Sequence, residues 1–79
     1  MVKATLFCNP KNKECIEITN LLTEKNLTFI MRDATSKEVS MHLYHDMRID
    51  VLPAVYLYRN NKYTLYQGLE RIIAALSKI

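Results

Sequence analysis

From Val2 to Phe7 the chain alternates: Val2, Ala4 and Leu6 on one side, Lys3, Thr5 and Phe7 on the other, the period of a strand. A loop containing Pro10 follows. Asn12 then suits a helix N-cap, because its side-chain oxygen can accept a backbone N–H of the first turn. Cys15, Ile18, Leu21 and Leu22 keep helical spacing from there to about Lys25. Leu27 to Asp33, "LTFIMRD", is rich in strand formers and predicts a second strand. Ser36 opens a second helix, with Val39, Leu43 and Met47 at intervals of four. The third residue after Ser36 is Val39, so a reciprocal capping box is absent and a simple serine cap is expected. "PAVYLY" (Pro53 to Tyr58) predicts a third strand, "RNNK" (Arg59 to Lys62) a hairpin turn, and "YTLYQ" a fourth strand that Gly68 ends. Leu69, Ile72, Ile73, Leu76 and Ile79 form the cleanest helical stripe in the chain.

The predicted order is β-α-β-α-β-β-α. Two strands joined through a helix run parallel with a right-handed crossover, whereas strands joined by a short turn run antiparallel. The expected architecture is an α/β fold, a four-stranded mixed sheet with helices on both faces, which accounts for the scarcity of polar strand positions.

Composition narrows this further. Seventy-nine residues make one domain, spanning 1–79. With 49% apolar residues, one glycine and two prolines, the chain is built to pack rather than to stay disordered. Its two cysteines allow at most one internal bridge, which does not suggest a secreted disulfide scaffold. The opening "MVKATLF" is too short and too alternating for a signal peptide, and no stretch approaches a membrane span. A cytoplasmic chain with reduced thiols and no membrane partner is expected. The net charge of +3 comes from scattered Lys and Arg, which suggests a solvated surface; a weak preference for acidic partners is the alternative.

Several kinds of site chemistry lack support. His42 and His45 stand at i, i+3 beside Asp46 but have no evident third ligand, so an exposed polar face is expected and no metal. Four of the five tyrosines fall on the last two strands. No clustered basic pattern accompanies them, so strand packing is expected and a nucleic-acid partner is not. No phosphate loop, serine triad or paired-carboxylate arrangement is visible.

The remaining candidate is "CNPKNKEC", which holds both cysteines, Cys8 and Cys15. Here the residues support a resemblance. "ATLFCNPKNKECIEITNLL" is similar to the opening of glutaredoxins: strand, proline-containing loop, C-x-x-C, helix. "YHDMRIDVLPAVYLYRNNKYTLYQGLE" is similar to the second half of thioredoxins, with a hydrophobic residue, a cis-proline, a strand, a polar hairpin, a strand and a glycine. The resemblance to the thioredoxin/glutaredoxin superfamily spans essentially the whole chain. It implies that Pro53 is the cis-proline, Leu52 the residue before it, and Gly68 the glycine opening the last helix. Local sequence alone reads Pro53 as an ordinary trans proline at a strand start.

The resemblance also exposes a departure. Aligned with C-x-x-C, "NKEC" places the second cysteine at Cys15 and asparagine, Asn12, where the family has its nucleophile. Leu6 stands where thioredoxins carry a buried acid. The family's dithiol cycle is therefore not available in its usual form. What remains is thiol–disulfide exchange by Cys15, alone or with Cys8, against a protein or low-molecular-weight disulfide or thiol, with no bound cofactor. As the third residue of the helix, Cys15 gains thiolate character from the helix N-terminus, Lys11 and Lys13, partly offset by Glu14. Against this, Cys15 also belongs to the apolar stripe, where cysteines are often buried and inert. In such a fold Cys8 and Cys15 are near neighbours, so both a bridge and two separate thiols are open. Asn12, Leu52 and Pro53 would support the site. Lys11, Lys13, Gly68 and Glu70 would hold glutathione as co-substrate or another substrate, although the family's T-K-P lysine is here Asn9 and its double glycine is Gln67-Gly68. The alternative is a redox-inactive module that binds a peptide or protein partner in the groove beside Pro53.

Overall fold

The computed structural model describes residues 2–79. The elements run β1 (Lys3–Cys8), α1 (Lys13–Glu24), β2 (Thr28–Asp33), α2 (Lys37–His45), β3 (Ala54–Arg59), β4 (Lys62–Gln67) and α3 (Leu69–Leu76). This is the β-α-β-α-β-β-α order expected from the patterning. The strands form one sheet in the order β2-β1-β3-β4. β1 pairs parallel with β2, from Lys3↔Thr28 to Cys8↔Asp33, and antiparallel with β3, from Lys3↔Tyr58 to Phe7↔Ala54. β3 and β4 form an antiparallel hairpin that closes at Arg59↔Lys62.

A core lies on each face of the sheet. Ala4, Leu6, Cys8, Val55 and Leu57 pack against Cys15, Ile18 and Leu22 of α1 and Ile72 and Leu76 of α3. On the other face Phe7 and Ala54 meet Ala34, Leu43 and Ile49. Because helices cover both faces of β1, the alternation fails at its end: Leu6, Phe7 and Cys8 are all buried.

Local signals explain the element ends. The Asn12 side chain accepts the Glu14 N–H at 2.9 Å, the N-cap that residue type favours. At the other end of α1, Asn26 has φ 55°, its N–H bonds to the Thr23 carbonyl and the Leu27 N–H to that of Leu22, the Schellman pattern. Ser36 does occupy the N-cap of α2, but its hydroxyl makes no capping bond, which corrects the simple serine cap expected there. α2 also stops at His45, short of Met47. Beyond it Arg48 turns at φ 55°, and Met47 and Ile49 return to the core outside the helix. The hairpin turn is narrower than "RNNK": Arg59 and Lys62 are its last rung, and Asn60 and Asn61, at φ 53° and 63°, make the two-residue bend. Among the described residues no helix is long and apolar enough to cross a membrane.

Candidate functional site

β1 delivers Cys8 to the core that packs against α1 and α3, and two short asparagine turns fold the chain back onto it. The Asn9 side chain accepts the Lys11 N–H at 3.0 Å, and its carbonyl accepts the Asn12 N–H at 2.9 Å. The Asn12 cap then starts α1, so Cys15 falls in the first turn on the face that packs against the sheet. The two cysteines meet as a disulfide with their Cα atoms 5.8 Å apart. Both are buried, Cys8 at 2% and Cys15 at 1% exposure. The Cys8 carbonyl accepts the Ala34 N–H at 3.0 Å, which ties the strand end to the chain leaving β2.

A cavity of about 190 Å³ reaches this disulfide. Cys8, Asn9, Asn12, Glu14, Cys15, Leu52 and Pro53 line it. Pro53 is buried and Leu52 is 45% exposed; the peptide bond between them is cis. The Pro53 carbonyl accepts the N–H of Gly68 at 2.9 Å. Gly68 itself caps α3 at φ 94°, a conformation that costs glycine little and other residues much.

Of the residues singled out in the sequence, Cys8, Cys15, Asn12, Leu52 and Pro53 thus line one cavity, and Gly68 is tied to it through its N–H bond to the Pro53 carbonyl. Lys11, Lys13 and Glu70 are exposed and do not line it. Two further residues contribute that the sequence patterning does not single out. Gln67 is more than a replaced glycine: its Oε1 accepts the N–H groups of Asp50 and Val51, both at 3.2 Å, and so holds the segment leading to Pro53. Met31 places its Sδ 3.6 Å from the Cys15 Sγ; with Cys15 bridged, this is a sulfur–sulfur packing contact without a shared proton. The strand register turns it there, since Met31 pairs with Leu6 and therefore faces the same core as Cys8.

The electrostatics around the loop are mild. Asp33, the cross-strand neighbour of Cys8, is held below the usual carboxylate range by the Thr35 hydroxyl and then the Thr35 N–H, with a smaller contribution from Lys11. His42 Nδ1 lies 2.7 Å from an Asp46 carboxylate oxygen, with both side chains exposed. Among the described residues no group of three or more His, Cys, Asp or Glu is placed to hold a metal. The tyrosines divide: Tyr56, Tyr58 and Tyr63 make edge-on or tilted ring contacts on the α2 side, while Tyr66 faces α3.

The same fold appears in solved structures. The thioredoxin-like protein BC3987 superposes with a TM-score of 0.72 at 16% identity, covering 95% of this chain and 96% of its own. Thioredoxin O2 from Arabidopsis thaliana, in its oxidized state, gives 0.67 at 13% identity over 100% of this chain and 75% of its own. Thioredoxin f2 from Chlamydomonas reinhardtii gives 0.63 at 20% identity over 98% and 77%. No protein-family model matches the chain, and no curated protein is significantly similar to it. At these identities the likeness is one of fold.

Proposed function

We propose that this chain of thioredoxin-like fold is a thiol–disulfide exchange protein whose redox pair is Cys8 and Cys15. The observation that carries the reading is that both bridged cysteines and Leu52-Pro53 line one cavity. The family's first thiol is replaced by Asn12, and Cys8, at the end of β1, supplies the second sulfur from the strand instead of the helix.

The cycle on this reading has two displacements. In the reduced protein the Cys15 thiolate attacks a substrate disulfide, and one substrate sulfur leaves as a thiolate that takes up a proton. The Cys8 thiolate then attacks the Cys15 sulfur of the mixed disulfide. This releases the second substrate thiol and closes the Cys8–Cys15 bridge, so two electrons pass to the substrate. Asn12 fixes the helix N-terminus whose N–H groups favour the Cys15 thiolate. Leu52 and Pro53 form the wall on which an extended substrate docks. Glutathione is the co-substrate class to test first. Lys11 and Lys13 would meet its carboxylates, and Glu70, beside Gly68, its amino group; the Gly68 N–H is already taken by Pro53.

The burial of both sulfurs favours a second reading, a redox-silent module that uses the cavity beside Pro53 to hold a peptide or protein partner. One experiment separates them. The protein is equilibrated with graded ratios of reduced and oxidised glutathione, and each cysteine is mapped by mass spectrometry after trapping. Reversible opening of the bridge, with glutathione recovered on Cys15 in preference to Cys8, is the expected result. A bridge that opens, or thiols that alkylate, only when the protein unfolds would defeat the exchange reading and leave the binding module.

A further inference from the structure

Lys and Arg are scattered in sequence, but the fold collects four of them. A groove of about 700 Å³ runs between the β3–β4 hairpin and α3, and Arg59, Lys62, Arg71 and Lys78 all line it. No acidic residue does. Of the eleven Lys and Arg residues and eight Asp and Glu, this leaves seven cations and all eight acids for the rest of the molecule. The groove thus carries the whole positive excess of the chain. All four side chains are exposed, and among the described residues none is engaged in an ion pair or side-chain hydrogen bond.

The walls of the groove show what shape fits it. β4 is an edge strand, so its outward backbone N–H and C=O groups have no strand partner. Arg59 and Lys62 form the last rung of the hairpin. Arg71 and Lys78 stand seven residues apart along α3 and its end, with Ala74 and Ala75 between them keeping the trough open. An unpaired strand edge flanked by cations on one face matches an extended segment that pairs through its main chain and presents acids at alternate positions.

We propose that this groove docks an extended acidic segment of a partner protein as a fifth strand along β4. Asp or Glu side chains at every second position turn toward α3 and meet Arg71, Lys62 and Lys78. Single-stranded nucleic acid fits less well, because its binding grooves interleave cations with aromatic platforms. Here Tyr56, Tyr58 and Tyr63 lie on the opposite face of the sheet, and only the half-buried Tyr66 lines the groove. The groove shares no lining residue with the cavity at the disulfide, so this docking stands or falls independently of the exchange chemistry.

The test uses the full chain and a blocked decapeptide alternating glutamate with threonine, titrated by fluorescence anisotropy at low salt. The peptide is expected to bind and to protect outward-facing β4 amides from hydrogen exchange. Lys62→Glu combined with Arg71→Glu should weaken it by about tenfold or more, since two attractions become repulsions. Arg32→Glu combined with Lys37→Glu changes the net charge equally at other sites and should change affinity less than threefold (about 0.6 kcal/mol or less). Circular dichroism checks that each variant keeps its fold. Equal loss in both double variants would reduce the effect to net charge and overturn the proposal. So would undiminished binding of a peptide N-methylated along its pairing edge, or tighter binding of an oligothymidylate of equal charge.

Discussion

The thioether of Met31 touches the Cys15 sulfur from β2, and the residue is 41% exposed. Removing it in Met31→Ala should let a small thiol reductant reach the disulfide several-fold faster, while global stability changes by about 1 kcal/mol or less. Timed alkylation during dithiothreitol treatment measures the rate, and an unchanged rate would mean that access runs only through the cavity beside Pro53. Met31 was not legible as a site residue because strand propensity says nothing about register. Only its pairing with Leu6 turns it toward the cysteines. Asn12 was legible, because a cap depends on chemistry that acts over two residues. The burial of Cys15 was readable from its place in the helical stripe, but its contact with Cys8 required the loop geometry set by Asn9.

The elements differ in how firmly they are anchored. α1 contributes Cys15, Ile18 and Leu22 to its core and α3 contributes Ile72 and Leu76, whereas α2 buries Leu43 alone. Val39 packs only partly, and the serine at the N-cap leaves the first turn without a side-chain bond. Leu43→Ala should therefore cost about 2–5 kcal/mol in denaturant unfolding. It should also raise hydrogen exchange in α2 ahead of α1 and α3; a uniform rise across all helices would show that α2 is not a separate unit. The order of elements and the sidedness of the sheet were readable because each stripe reports one period. The end of α2 was not. Met47 continues the spacing of four beyond the helix because the chain turns at Arg48 and still inserts Met47 and Ile49 into the same core. Periodicity records which side chains are buried, not whether the backbone between them is still helical.

For the molecule as a whole, the bridge joins residues seven apart in sequence, and in the chain-entropy account a loop this short stabilises the fold by about 2.5 kcal/mol. Reduction should lower the thermal midpoint by roughly 10 °C or more for a domain of this size. Calorimetry of the oxidised and reduced forms checks this, and coincident midpoints would show that the buried thiols pack as well apart as joined. The uneven placement of charge has a consequence on a longer scale. With Arg59, Lys62, Arg71 and Lys78 gathered on one flank and the other charges nearly cancelling, the molecule is electrically lopsided. At physiological salt fields fade over about 8 Å, so a nearby surface senses the flank it faces rather than the total of +3. Against a negatively charged matrix the protein will turn this flank inward and be retained more strongly than its net charge suggests.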